Sequence, residues 1–142
     1  VEAGVPGLEV TVGILGNRGD DLTVLPIVEV HPHDGRFFDY EEKYSEDGAR
    51  EICPPENLSA ESIATLERHA LAAYRAAGCD GYARIDFIVP EGGDPVILEA
   101  NTLPGFTSRS LLPLAAAATG VDYRSVCLEV CALALARFGD SQ

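Results

Sequence analysis

The sequence has 142 residues, of which 46% are hydrophobic, and a formal net charge of −13 at pH 7. This length suits one domain with a real core, the acidic balance argues against a nucleic-acid surface, and no apolar run is long enough to cross a membrane. The chain shows no secretory signal, starts at Val1 and contains no methionine, so we expect a portion of a longer protein.

The cysteines indicate the redox environment. None of them forms a Cys-x-x-Cys pair, and no histidine accompanies the two that stand four residues apart on a predicted helix. Buried free thiols in a reducing cytosol are therefore the favoured interpretation, and a zinc site is the alternative. We expect a cytoplasmic protein whose unpaired cysteines are Cys53, Cys79, Cys127 and Cys131.

Two strands are predicted near the start of the chain. Glu9–Gly16 is rich in β-branched residues and bounded by glycine, and Leu22–Val30 is predicted to form a hairpin with it. Pro26 inside the second strand indicates an edge position or a bulge. Residues 31–35 are predicted to be a loop, and their two histidines are interpreted as solvated turn residues and not as ligands.

Residues 37–58 show no clear periodicity. The first part mixes aromatic and charged residues up to Tyr44, and Ser45–Leu58 is predicted to be a loop because it contains Gly48, Pro54 and Pro55. A long irregular segment is usually functional or disordered. The alternative is a plain surface loop whose aromatic residues anchor it to the core.

Three helices are predicted in the rest of the chain. Ser59 is a good N-cap, and apolar residues at helical spacing continue to Gly78, which predicts a scaffold helix lying over a sheet. A short apolar helix is predicted over Leu111–Thr119 with Ser110 as its N-cap, and a last helix begins after a cap at Asp122.

The most informative pattern is a predicted β-hairpin over residues 81–101. Its two halves alternate in character on either side of Gly92-Gly93. If these glycines form a two-residue turn, Asp86 lies directly opposite Glu99, and Arg84 lies opposite Asn101. One face then carries Tyr82, Arg84 and Asp86 from the first strand and Ile97, Glu99 and Asn101 from the second.

Two facing carboxylates repel each other across a sheet, so something must offset that repulsion. A hard cation would do so, because carboxylate and amide oxygens are ligands that magnesium accepts together with phosphate oxygens and water. Arg84 in the same row suits an anionic phosphate. The hairpin therefore predicts a magnesium-nucleotide site, and the alternative is a solvated polar face.

The segment after the hairpin favours an anion. Residues 101–110 are rich in turn formers and lead into the predicted helix that starts beside Ser110. Exposed backbone N–H groups ahead of a helix N-terminus suit an anion or an oxyanion.

The runs GYARIDFIV and VILEANTLPGFTSRSL resemble the C-terminal part of the ATP-grasp fold, and among ATP-grasp enzymes they are most similar to the D-alanine–D-alanine ligases. This resemblance implies an α+β fold in which a mostly antiparallel sheet has helices packed against it. Residues 1–142 would be a single domain, the large ATP-grasp subdomain. The N-terminal domain and the small subdomain with the glycine-rich loop would be missing.

The resemblance also implies a reaction. Such enzymes use ATP to convert one D-alanine to an acyl phosphate, which the amine of a second D-alanine attacks to form the dipeptide for peptidoglycan. The implied cofactors are ATP and two Mg²⁺ ions, for which Mn²⁺ can substitute. The implied partners are D-alanine and the missing N-terminal portions, with a homodimer left open and neither nucleic acid nor membrane involved.

Individual residues match the family's motifs. Asp86, Glu99 and Asn101 match magnesium ligands, and Arg84 matches the contact to the transferred phosphoryl group. The Gly105 N–H matches an oxyanion donor, and Ser110 matches the group that holds the carboxylate of the second D-alanine. Lys43 matches a lid lysine that reaches the γ-phosphate, and Tyr44 matches a tyrosine facing the second D-alanine. The implied nucleotide contacts are Glu2 near the adenine edge, Glu9 at the ribose, and Phe37 and Leu98 at the adenine ring.

Two other interpretations stay open. One is a different ATP-grasp carboxylate–amine ligase, which would keep Asp86, Glu99 and Asn101 but differ around Tyr44 and Ser110. Arg109 and Phe106, which flank the second-substrate site, occupy positions that often hold other residues in the family. The other is a non-catalytic nucleotide-binding or regulatory module. Whichever holds, we expect this chain alone to bind Mg-ATP weakly and to catalyse nothing.

Overall fold

The computed structural model describes residues 4–19, 21–31 and 50–139. Its strands are β1 (Leu8–Gly16), β2 (Thr23–Val24), β3 (Val28–His31), β4 (Arg50–Ile52), β5 (Gly81–Val89) and β6 (Val96–Asn101). Its helices are α1 (Ala60–Ala76), α2 (Leu111–Ala118) and α3 (Tyr123–Gly139). The strands form one sheet in the order β4-β3-β1-β5-β6, with β2 added beside β1, and every pairing is antiparallel. The predicted α+β fold is confirmed.

Helix α1 covers one face of the sheet. Leu66, Ala70 and Tyr74 recur every four residues along it and are buried, and they join the alternate residues of β1 and β5 in a single core. The helix begins as predicted, because the Ser59 side chain accepts a hydrogen bond from the Ser62 N–H. Tyr74 fixes the helix to the sheet, since its hydroxyl donates to the Gly16 carbonyl at 2.7 Å. Burial raises the pKa of Tyr74 to about 12.

Helices α2 and α3 cover part of the opposite face. A second core joins buried residues of both helices to the sheet and its connections: Leu15, Leu25, Val28, Leu112, Ala115, Ala116 and Val126. Gly13 permits this close approach, because a Cβ there would lie 3.1 Å from Leu25 Cδ1 and 3.5 Å from Leu112 Cγ. Among the described residues, no helix has the length and apolarity that crossing a bilayer requires.

Three predictions for the first half of the chain are wrong in detail. Leu22–Val30 is not one strand, since β2 ends at Val24 and β3 begins at Val28. Pro26 lies in the break, where its missing N–H cannot join a ladder. The predicted loop 45–58 contains β4, a three-residue strand too short to show periodicity, and His31 ends β3 instead of starting a loop.

All four cysteines are unpaired in the structure, as predicted. The prediction that they are buried is right for Cys79 alone, because Cys53 and Cys127 are half-buried and Cys131 is exposed on α3. The reducing environment stays a prediction.

The hairpin of β5 and β6 has the predicted register where it carries the polar residues. Asp86 pairs with Glu99, and Arg84 pairs with Asn101. A β-bulge follows, so that Phe87 pairs with Ile97 and the predicted two-residue turn at Gly92-Gly93 is wrong. Ile97 consequently lies on the α1 side of the sheet and does not share a face with Glu99 as predicted.

Candidate functional site

The polar residues of β1, β5 and β6 lie in two neighbouring rows, on the face of the sheet that α2 and α3 leave partly open. The first row joins Thr11, Asp86 and Glu99. The second row joins Arg84 and Asn101, with Gly13 beside Arg84 on β1. Alternation along three paired strands therefore brings together the four hairpin residues that the sequence singled out.

Arg84 and Asp86 form a bidentate ion pair. Arg84 Nε donates to Asp86 Oδ1 at 2.8 Å, and Nη2 donates to Oδ2 at 2.8 Å. Both residues are only 8% exposed. Burial disfavours the charged guanidinium, but the hydrogen bonds to Asp86 and the nearby negative charges outweigh it and raise the pKa of Arg84.

The repulsion between the facing carboxylates is therefore offset by an arginine. The sequence pattern predicts a metal in that role, and the structure corrects this prediction, because the charges of Asp86 and Glu99 both act on Arg84. The ion pair does not require a cation, so the case for magnesium rests on the donor atoms alone.

The donor atoms fit a hard cation. Asp86 is nearly buried, Glu99 is exposed and Asn101 is half-buried, so the ligands extend from the core to the surface. In the part of the chain that the structure describes, no three His, Cys, Asp or Glu side chains form a metal-binding group. A cation would thus need the Asn101 amide oxygen and further oxygens from a nucleotide or water, as magnesium commonly does.

Asn101 also shapes the loop that follows β6. Its Oδ1 accepts a hydrogen bond from the Leu103 N–H at 3.2 Å, and its Nδ2 lies 3.5 Å from Glu99 Oε1. An amide oxygen has two lone pairs, so one of them is still available to a cation.

The loop between β6 and α2 is held together by Ser110. Its Oγ accepts from the Thr107 N–H at 2.9 Å and lies 3.0 Å from Thr107 Oγ1. Ser110 is the N-cap residue of α2 as predicted, although its side chain makes no capping hydrogen bond to that helix. Gly105 permits the tight loop, since a Cβ there would lie 3.3 Å from Ser110 Oγ.

Aromatic contacts fix this loop against the sheet and α3. The ring of Phe106 lies 5.3 Å from that of Tyr82 and 6.2 Å from that of Tyr123, measured between centroids. The Tyr123 hydroxyl donates to the Phe106 carbonyl at 2.8 Å. Phe106 therefore has a packing role between two tyrosine rings, whereas the sequence marked it only as a departure from the family's usual residue.

The other predicted nucleotide contacts are only partly described. Glu9 lies two residues before Thr11 on β1 and acts electrostatically on Arg84, and Leu98 is 52% exposed beside the bulge in β6. Glu2, Phe37, Lys43 and Tyr44 lie outside the described residues. Their predicted roles stay predictions.

Sequence reasoning missed two residues near the site. Thr11 on β1 and Glu51 on β4 were not singled out as candidates, although Glu51 feels the charges of Arg109 and Arg84. Burial raises the pKa of Glu51, and those two positive charges oppose the rise. Strand pairing is the only signal that could have found these residues, because each is unremarkable along the chain.

Glu29 is a missed residue of a different kind. Its side chain is fully buried on the α1 side of the sheet, and it accepts from the Asn57 N–H at 2.6 Å, from Asn57 Nδ2 at 2.7 Å and from His31 Nε2 at 3.0 Å. Burial acts to raise the pKa of Glu29, but the hydrogen bonds from Asn57 and His31 lower it overall. Glu29 therefore connects the end of β3 to the segment before α1 and does not face Asp86.

Comparison with known protein sequences identifies one family. A family model described as D-ala D-ala ligase C-terminus matches residues 1–131. The chain is 46% identical over 127 residues to the D-alanine–D-alanine ligase of Halalkalibacterium halodurans, covering 89% of this chain and 41% of that protein. It is 42% identical over 139 residues to the D-alanine–D-alanine ligase of Nitratidesulfovibrio vulgaris strain DP4, covering 98% of this chain and 44% of that protein.

Solved structures give a consistent result. The D-alanine–D-alanine ligase of Bacillus anthracis complexed with ATP superposes with a TM-score of 0.77 at 30% identity, over 98% of this chain and 42% of that one. The VanG D-Ala:D-Ser ligase of Enterococcus faecalis superposes with a TM-score of 0.76 at 32% identity, over 92% of this chain and 37% of that one. The chain thus spans about two fifths of the length of the proteins that it resembles.

Proposed function

The chain belongs to the family of D-alanine–D-alanine ligase C-terminal regions, and from this membership we propose that its parent protein uses ATP to join two D-alanines. The product would be a dipeptide precursor of peptidoglycan. The observation that supports this proposal most is the pairing of Arg84 with Asn101 and of Asp86 with Glu99 on one face of the sheet. A pure nucleotide binder has no need of an arginine in that row.

In this proposal Asp86, Glu99 and Asn101 hold two Mg²⁺ ions, for which Mn²⁺ can substitute. When bound, the metal neutralises charge on the phosphates of ATP. Asp86 keeps one lone pair on Oδ2 for this purpose, because its three hydrogen bonds use two sites on Oδ1 and one on Oδ2.

Arg84 binds the transferred phosphoryl group without releasing Asp86. A guanidinium carries five N–H donors, and the ion pair with Asp86 uses only two of them. The remaining donors can reach an anion, and the partner carboxylate keeps the side chain oriented while they do so.

The loop before α2 receives the second substrate. The Gly105 N–H donates to the oxyanion that forms at the attacked carbonyl. Ser110 and the adjacent N–H groups at the start of α2 bind the carboxylate of the second D-alanine. Glu9 and Leu98 contribute to nucleotide binding, as do Glu2, Phe37 and Lys43, while Tyr44 faces the second D-alanine.

The test uses the full-length parent ligase with ATP, Mg²⁺ and D-alanine. We expect stoichiometric release of phosphate and D-alanyl-D-alanine, detected by mass spectrometry. Asp86→Asn should lower turnover by at least about 100-fold, since a displaced metal ligand removes charge stabilisation from the transition state. Asp94→Asn, in the exposed turn of the same hairpin, should retain wild-type turnover. Wild-type turnover in Asp86→Asn would refute the proposed site.

A second candidate function is ligation of D-alanine to a different acceptor. It is favoured by the similarity to VanG, a D-Ala:D-Ser ligase, which is as close in fold as the Bacillus anthracis enzyme. Competing D-alanine, D-serine and D-lactate as acceptors in the same assay separates the two functions. We expect D-alanyl-D-alanine to be the main product, and a predominance of D-alanyl-D-serine would favour the second candidate.

A further inference from the structure

Thr11 contacts the acidic centre directly from the neighbouring strand. It pairs with Asp86 in the register of β1 and β5 and is only 3% exposed. Its hydroxyl donates to Asp86 Oδ1 at 2.5 Å and lies 3.4 Å from the Ile85 carbonyl. A hydroxyl has a single proton, so the much shorter contact identifies Asp86 as the acceptor.

This hydrogen bond makes the two oxygens of Asp86 inequivalent. Oδ1 accepts from Thr11 and from Arg84 Nε, whereas Oδ2 accepts only from Arg84 Nη2. Each carboxylate oxygen has about two lone-pair sites, so Oδ1 is fully used and Oδ2 has one site left. Without the Thr11 hydroxyl, either oxygen could turn toward a cation and the carboxylate would lose one of its three restraints.

We propose that Thr11 is a positioning residue that presents Asp86 Oδ2, and not Oδ1, to a divalent cation shared with Glu99. This inference rests on the proposed function only in taking Asp86 and Glu99 as cation ligands. It assigns to Thr11 a task that the sequence pattern of the hairpin does not contain. Groups that orient metal ligands in this way typically change metal affinity or activity by about 10-fold to 100-fold when they are removed.

The test measures Mn²⁺ binding to the full-length parent ligase by electron paramagnetic resonance of the free ion. Thr11→Val keeps the branched shape of the side chain and removes the hydroxyl, so we expect Mn²⁺ to bind at least about 10-fold more weakly. Thr11→Ser restores a hydroxyl and should bind Mn²⁺ within about twofold of wild type, a difference too small to reflect a lost ligand contact. Thr23→Val, an exposed strand threonine on β2, is the matched control and should leave Mn²⁺ affinity unchanged.

The outcomes separate this inference from the proposed reaction. Wild-type Mn²⁺ affinity in Thr11→Val, or an equal loss in Thr11→Val and Thr11→Ser, would overturn the positioning role. So would a wild-type protein that binds no Mn²⁺. If Thr11→Val does not fold, Thr11→Cys, with its weak S–H donor, serves as the second variant and should also bind Mn²⁺ more weakly. A wild type that binds Mn²⁺ but forms no dipeptide refutes the ligase reaction and leaves the Mn²⁺ comparison decisive for Thr11.

Discussion

Arg84 lies at the point where the charges of the site meet. It bonds Asp86 through two nitrogens and also feels the charges of Glu99 and Glu9. An ion pair that is 8% exposed on both sides costs considerable desolvation, and only its bidentate geometry with further hydrogen bonds can offset that cost. Removing one partner leaves the other charge buried, so substitutions at Arg84 are expected to disturb folding as well as chemistry.

Glu29 gives a prediction that concerns stability alone. Its pKa is lowered in the folded protein relative to the ordinary value of 4.5. The folded state therefore binds the proton less tightly than the unfolded state, so Glu29 stabilises the fold above about pH 4.5, and this contribution is lost as the pH falls through the lowered folded pKa. Glu29→Gln should cost about 1–3 kcal/mol of unfolding free energy at pH 7, because an amide N–H₂ then faces the Asn57 and His31 donors.

Urea unfolding at pH 7 and at pH 3.5 measures this effect. The difference between wild type and Glu29→Gln should shrink at the lower pH, because the unfolded chain, with the ordinary pKa of 4.5, then binds a proton at Glu29 more readily than the folded protein does. Glu61→Gln, on the exposed surface of α1, is the control and should change the unfolding free energy by less than about 0.5 kcal/mol. A difference that stays constant with pH would show that Glu29 acts through shape and not through charge.

The sequence could not identify Glu29 or Thr11. A glutamate between two valines in a strand has the alternation of a solvated face, and the burial of Glu29 depends on Asn57, which is 28 residues away. Thr11 is an ordinary strand former until the β1–β5 register places it opposite Asp86. Asp86, Glu99, Arg84 and Asn101 could be found because a single hairpin fixes their pairing locally.

The strands and helices could likewise be predicted only where their signals are local in the sequence. Helix α1 was predictable from its cap and its period, since both are local signals. The bulge after Asp86 was not predictable, because one extra residue in β6 leaves the alternation of β5 intact and no turn residue marks it. Strand β4 depends on pairing with β3 and has only three residues of its own.

The junction of β1 and β5 yields a prediction about backbone packing. A Cβ on Gly7 would lie 2.5 Å from the carbonyl oxygen of Val89, which is a backbone atom and cannot rotate away. Gly7→Ala should therefore destabilise the fold by about 1–3 kcal/mol, as overpacked substitutions do. Gly4→Ala is the matched control, since nothing lies within 4 Å of a Cβ there, and it should be neutral within about 0.5 kcal/mol.

Thermal and urea unfolding of the two alanine variants check this expectation. A Gly7→Ala protein as stable as Gly4→Ala would mean that the start of β1 moves away from the end of β5 at little cost. The close contact between these two segments would then contribute nothing to the register that brings Thr11 to Asp86.

At the scale of the whole molecule, residues 4–19, 21–31 and 50–139 leave the site open on one side. Glu99 is exposed, Leu98 is 52% exposed, and Leu103 in the following loop is 82% exposed. Apolar side chains on the outer face of α3 are exposed as well, with Leu128 at 60% and Leu135 at 74%.

This openness leads to a prediction for a chain of only these 142 residues. An acyl phosphate must be kept from water, and a nucleotide gains affinity from contacts on every side, but the described residues leave the ligands on this face of the sheet without a cover. We expect no release of phosphate from ATP and D-alanine, and Mg-ATP affinity at least about 10-fold below that of the parent, or ~1.4 kcal/mol. Isothermal titration calorimetry of both proteins measures their affinity for Mg-ATP, and a phosphate-release assay measures turnover. The Asp86→Asn variant is the control for specific binding. Turnover by the short chain would contradict this prediction and would mean that these 142 residues suffice for the reaction without any other part of the parent.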